Sequence, residues 1–181
     1  MRSAIVMLVL AAASSARADD AADTKLAATA QPYHHAISVQ LATIGTAAIA
    51  IVGEHDLRWN KLSVAVALGA RTGAHGDYDS RTLGAGVEVR RWLRRPTTMR
   101  GWYVAARTDV AATRIEDMVE HRSVGSLVTW SVGAAGGYRF VIADRVEITP
   151  SVGMGVVVEG GMMPTTSRVA GMLGLTAGVV F

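Results

Sequence analysis

Two polar clusters carry the residue types that could do covalent chemistry. His75 stands close to Asp77, Asp79 and Ser80, and His121 lies between Glu120 and Ser123. An imidazole within reach of a hydroxyl can act as a general base, and a nearby carboxylate can orient it. Such a set would suit transfer or hydrolysis at an ester. The competing reading is a solvated loop, in which His, Asp and Ser collect without mutual geometry. Nothing in either cluster implies the rigidity a base and nucleophile need, so no catalytic residue is assigned. Metal chemistry is equally thin. His75-Gly76-Asp77-Tyr78-Asp79 lacks the ligand spacing of a calcium hand, and Asp77, Asp79, Glu116, Asp117 and Glu120 offer only a charge-based case for divalent ions. The absence of cysteine excludes thiolate metal sites, disulfides and a lipidated N-terminal cysteine. Gly84-Ala85-Gly86 lies in an alternating segment and is no phosphate loop. No cofactor is expected.

A second set of charges is more orderly. Glu54, Glu88, Asp109, Glu147 and Glu159 share one face of alternating segments with Arg71, Arg90, Arg107, Arg139 and Arg168. Acids and bases are balanced there, with no lysine among them. Arg suits a cramped site because its planar fork pairs with carboxylates in two directions. Around these charges the same face is small, as in Ser63, Ala65, Ala67 and Gly69, or Thr129, Ser131, Gly133, Ala135 and Gly137. A solvated face would carry long charged chains throughout. The pattern predicts a narrow bore filled by ion pairs; an open aqueous channel is the alternative.

The elements that must position these residues have period two. From Val169 to Phe181 every second residue is apolar or small, about the length of a tilted strand crossing a bilayer. Eight segments are expected: 36–42, 46–54, 62–71, 83–93, 102–113, 127–140, 146–159 and 168–181. If 36–53 were a single strand bent at Gly45, the count would be seven. With a periplasmic N-terminus, the inner turns fall at 59–61, 94–101 and 143–145, and the outer loops at 72–82, 113–126 and 160–167. Trp59, Trp92, Trp102, Tyr103, Tyr138, Phe140 and Phe181 are then expected in an aromatic girdle at the inner rim, with Trp130 near the other. Two residues strain the scheme. Arg91 falls on the apolar face and must snorkel to the rim, and Pro150 predicts a bulge or strand end. The basic turn of Arg90, Arg91, Arg94, Arg95 and Arg100 would face anionic headgroups.

Residues 1–18 have the plan of a signal peptide: Arg2, the apolar run from Ala4 to Ala13, and Ala16-Arg17-Ala18 before Asp19. Residues 19–35 form a lead-in and 36–181 the barrel. The net charge of +3 falls to +1 without Arg2 and Arg17. The fourteen remaining arginines are scattered among acids and make no basic face, so no nucleic-acid partner is expected.

Gly101-Trp102-Tyr103-Val104 with Arg107 and Asp109, Gly137-Tyr138-Arg139-Phe140, Asp144-Arg145, Glu147-Ile148-Thr149-Pro150-Ser151 and Phe181 resemble a small outer-membrane barrel. The size class is that of OmpA and OmpX, and the likeness is narrower to an uncharacterised family of secreted eight-stranded barrels. It covers about the last 80 residues, and the first two strands carry little of it. It implies an all-β, eight-stranded antiparallel up-and-down transmembrane barrel in the outer membrane of a Gram-negative bacterium. It also implies that lipid surrounds the barrel and that Phe181 belongs to the signal read by the assembly machinery. It transfers no activity. A structural or surface-interaction role is expected, against a narrow pore, a lipid-modifying barrel enzyme or a soluble ligand-carrying barrel.

Overall fold

The computed structural model describes residues 33–44, 47–57, 61–75, 77–93, 99–120, 122–161 and 165–181. Eight strands follow one another: β1 (His35–Ile44), β2 (Ala47–Asp56), β3 (Leu62–His75), β4 (Tyr78–Trp92), β5 (Gly101–Asp117), β6 (Ser123–Ile142), β7 (Val146–Gly161) and β8 (Thr166–Val180). Each pairs antiparallel with the next, and β8 returns to β1, closing an up-and-down barrel. The first hairpin is two strands, with His35 opposite His55, so the seven-strand alternative falls. Closure leaves no strand edge, which is what a sheet surrounded by lipid requires.

The side chains are sorted in the reverse of a soluble protein. Ile37, Val39, Leu41, Leu68, Leu83, Val110, Leu173 and Leu175 face outward and are exposed. Ser38, Gln40, Glu54, Ser63, Glu88, Arg90, Arg139, Glu147, Thr149 and Thr176 face inward and are buried. With a strand period of two, one apolar and one polar residue per step is enough to specify this. Small inward residues let the wall close. At Gly133 an added Cβ would stand 2.6 Å from Met154 O, and at Gly137 it would meet the Tyr103 hydroxyl at 2.6 Å.

The strands run further than the sequence suggests. β5 has 17 residues and β6 has 20, against the roughly 9–11 that cross a bilayer. The expected outer loops at 72–82, 113–126 and 160–167 are mostly strand, and the connections there shrink to 76–77, 118–122 and 162–165. The apolar outer face stops at these points while the hydrogen-bonded ladder continues, so loss of alternation marks the edge of the apolar band and not the end of the strand. The longest connection, 93–100, is at the opposite end. Connection length therefore does not orient this barrel. The 143–145 turn is as expected: Ala143 and Asp144 have φ of 51° and 55°, and Arg145 N donates to Ile142 O at 3.2 Å, a type I′ hairpin turn.

Pro150 makes neither a bulge nor a strand end. β7 keeps one register with β6 on both sides of it, from Gly137↔Ser151 to Phe140↔Ile148, with only the rungs between left out. The register shift in the β5–β6 ladder lies elsewhere, between Ile115 and Glu116.

Candidate functional site

The most densely bonded polar group is a layer across the bore near the chain termini, hereafter the terminal end. Glu54 on β2 is its hub. Glu54 Oε2 is met by Arg90 Nη1 of β4 at 2.6 Å and by Arg139 Nη2 of β6, while Oε1 accepts from Ser63 Oγ of β3 at 2.5 Å. Arg90 Nε donates to Glu88 at 2.5 Å. Arg139 Nε donates to Thr149 Oγ1 at 3.4 Å and lies 2.8 Å from Glu147 Oε2 on β7, a contact out of line for a hydrogen bond. Ser38 of β1 donates to the other Glu147 oxygen. Arg139 and Glu147 are 0 % exposed. Ion pairs so enclosed roughly offset their desolvation, and removing one partner leaves the other charge stranded.

A second pair continues the network toward the hairpins. Arg107 Nε donates to both oxygens of Asp109, at 2.8 and 2.7 Å, and Nη1 lies 3.9 Å from Glu88 and 3.5 Å from Gln40 Oε1. Ser131 Oγ donates to Asp109 at 3.2 Å. The voids beside this layer are about 20 and 10 Å³, each room for about one water.

Below the ion layer an apolar cap closes the terminal mouth. Tyr33, Ala36, Trp92, Met99, Tyr103, Ala105 and Val180 pack together there. Trp92 and Tyr103 were expected on the outer girdle, yet they are 4 % and 2 % exposed, inside the barrel. Parity explains it: Trp92 alternates with Glu88 and Arg90, and Tyr103 with Arg107 and Asp109, so both point inward. Their rings are 5.3 Å apart, with Arg90 over Tyr103 at 4.9 Å and Arg139 over Trp92 at 5.0 Å. Trp92 Nε1 donates to Ser63 Oγ at 3.0 Å, tying cap to ion layer. Just before β1, burial, reinforced by Asp144, holds the Tyr33 phenol above its ordinary pKa.

The remaining residues divide. Trp102, Tyr138 and Phe140 form a contiguous aromatic run on the outer face, with centroids 5.1 and 4.5 Å apart, and Phe181 stacks on His35 at 5.6 Å. Trp130 is also outside, donating to Thr108 at 3.0 Å. Trp59, Arg94 and Arg95 lie outside the described residues. Arg91 and Arg100 are exposed, whereas Arg90 belongs to the bore and not to a basic turn. Glu159 and Arg168 pair at 2.8 Å but at the open hairpin mouth, where Arg168 is 62 % exposed. Arg71 is half-buried, with its guanidinium beside Gly73.

The His75 side chain and His121 lie outside the described residues. Ser80 Oγ donates to Gly73 O at 3.0 Å, and Asp117 caps the backbone N–H groups of Val119 and Glu120. Among the described residues no three His, Asp or Glu side chains converge on a metal position. The sequence analysis assigns no bonding role to Ser38, Gln40, Thr149 and Thr176, and reads Ser63 only as a small residue of the bore face. Each is a polar residue of inward parity, and that parity was the available signal.

Two solved structures share this architecture. The N-terminal β-barrel domain of Pseudomonas aeruginosa OprF is 12% identical, with 83% of this chain and 98% of that chain covered and a TM-score of 0.52. Neisserial surface protein A is 11% identical, with coverage of 82% and 95% and a TM-score of 0.50. At such identity the likeness carries the fold alone. No curated protein matches the sequence. Residues 24–160 match the family described as protein of unknown function DUF3575, a span that includes β1 and β2, the strands least suggestive by sequence. The chain therefore belongs to the DUF3575 family and has the fold of the small eight-stranded outer-membrane barrels.

Proposed function

We propose that this is an outer-membrane protein with a closed bore, whose role is structural or surface-interacting and involves neither transport nor catalysis. One observation carries the reading: charged side chains from β2, β4, β6 and β7 meet in one fully enclosed layer, sealed below by Trp92, Met99 and Tyr103. An ion entering from the hairpin end meets Arg107, Arg139 and their carboxylates held together, beside voids of about 20 and 10 Å³. The linked charges Glu54, Glu88, Arg90, Arg107, Asp109, Arg139 and Glu147 then serve to fill the barrel and fix strand register. The apolar outer face, reversed from that of a soluble carrier, supports a lipid surrounding. In this reading residues 1–18 direct export, the long hairpins project outward, and the outward Phe181 ring takes part in recognition by the assembly machinery.

Conductance is the test. The barrel lacking residues 1–18, refolded and inserted into planar bilayers, is expected to give no steps above the lipid baseline. Heat-modifiable mobility on a detergent gel verifies the folded barrel in the same preparation. Stable single-channel steps from that folded protein would overturn the closed-bore reading in favour of a narrow pore.

A further inference from the structure

We infer that the outer wall at the hairpin end carries a binding shelf for the phosphate of a lipid headgroup, centred on Arg81 and Arg114. This rests on the membrane reading above and adds a ligand to it. The observation is one of register. On β4 the order is Asp79 then Arg81, and on β5 it is Arg114 then Glu116; antiparallel pairing sets Arg81 opposite Arg114 and Asp79 opposite Glu116. Like thus faces like in both rungs. Directly opposed like charges destabilise a sheet, and exchanging residues 114 and 116 would have put each arginine opposite an acid. The arrangement is explained if an anion sits between the two guanidinium groups.

The neighbours fit that use. The rung extends to Thr72 on β3 and Ser126 on β6, so four adjacent strands present hydroxyl, guanidinium, guanidinium and hydroxyl. All four face outward and are exposed, Arg81 at 67% and Arg114 at 65%. The row spans about 14 Å at ordinary strand spacing and slants with strand tilt. One outward step toward the terminal end, the wall becomes Ala70, Leu83, Ala112 and Val128, the start of the apolar band. The acids lie on the far side, and their contacts are at the arginine Nε atoms, 3.6 Å for Asp79 to Arg81 and 3.0 Å for Glu116 to Arg114. A row of donors resting on an apolar surface matches an amphipathic anion, acyl chains below and phosphate above. A guanidinium pair can hold a phosphate from both sides.

The test uses the full barrel in neutral detergent, with short-chain phosphatidic acid, phosphatidylcholine and inorganic phosphate as probes and bound lipid counted by native mass spectrometry. Phosphatidic acid is expected to bind at least about tenfold more tightly than phosphatidylcholine. Arg81→Gln and Arg114→Gln should each weaken it about tenfold, the loss of one charge-assisted donor group. Arg168→Gln, at the mouth, should leave binding unchanged. Wild-type affinity in both arginine variants, or equal binding of the two lipids, would overturn the shelf. Inorganic phosphate that competes at the lipid's own concentration would overturn the lipid assignment. A protein with no heat-modifiable mobility would overturn the membrane reading and the shelf with it, whereas one that shifts and binds equally overturns the shelf alone.

Discussion

The two halves of the bore are built from the same alternation and reach opposite ends. At the terminal end the inward residues, Ser38, Glu54, Ser63, Ala65, Arg90, Trp92, Tyr103, Arg139, Glu147, Thr149 and Thr176, are all buried. Toward the hairpins most inward positions shrink, as at Gly69, Gly84, Ala111, Thr113, Thr129 and Gly155, all partly exposed, with Ser131 and Val157 as buried exceptions and Arg71, Glu159 and Arg168 as the charges at the mouth. One half is filled by large charged and aromatic side chains and the other is left as a vestibule. Strand count sets the bore width, and side-chain volume decides whether a given level is closed. Stability is thereby concentrated at one end, and accessibility at the other.

Removing the charge at the centre of the closed half should have the largest effect. Arg139→Ala strands the buried Glu147 carboxylate and leaves Glu54 with Arg90 as its one arginine, so it should cost about 3–5 kcal/mol of stability. Arg168→Ala breaks a pair at the wet mouth and should cost at most about 1 kcal/mol. Urea unfolding of the two variants in lipid vesicles compares them directly. Equal losses would mean that the halves do not differ and that the ion layer is no more enclosed than the mouth.

Access can be measured without reference to stability, because the chain has no native cysteine. Ala65 and Ala111 both point inward, but Ala65 is buried and Ala111 half-exposed. Ala111→Cys should react with a small maleimide at least about a hundredfold faster than Ala65→Cys, as an opening cost of roughly 3 kcal/mol at the closed level would give. Comparable rates would erase the contrast and reopen the case for a continuous aqueous path.

Much of this contrast was legible in the sequence. Parity alone assigned Glu54, Glu88, Arg90, Arg107, Asp109, Arg139 and Glu147 to one face, since a strand allows no other placement of alternate residues. Their partners were not legible. Glu54 meets Arg139 across 85 positions of sequence, and the contact depends on how far successive strands are staggered, which no single strand records. Trp92 and Tyr103 lie inside although both are close to a turn, because parity and not distance from the turn sets the face, and aromatic residues occur on both sides of a barrel wall. The hairpins beyond the apolar band read as loops in the sequence because their outward face turns polar there, as at Thr72, Arg81, Arg114 and Ser126. Polar residues on both faces remove the hydrophobic signal without removing the ladder.

The smallest expected difference isolates hydrogen bonding from charge. Ser63 in the closed half donates to Glu54 at 2.5 Å and accepts from Trp92 Nε1 at 3.0 Å, with no exposure. Thr82 in the vestibule shares a hydrogen bond with Thr113 at 2.8 Å, and both are half-exposed. Ser63→Ala leaves a buried carboxylate oxygen and an indole N–H without a partner, a loss of about 1–3 kcal/mol. Thr82→Val removes one hydroxyl where water can replace it, so the change should stay within about 0.5 kcal/mol. Both variants preserve every ion pair, so charge cannot confound the comparison. If Thr82→Val proved as costly as Ser63→Ala, the vestibule would be dry, and the half-exposure of its small residues would not mean contact with water.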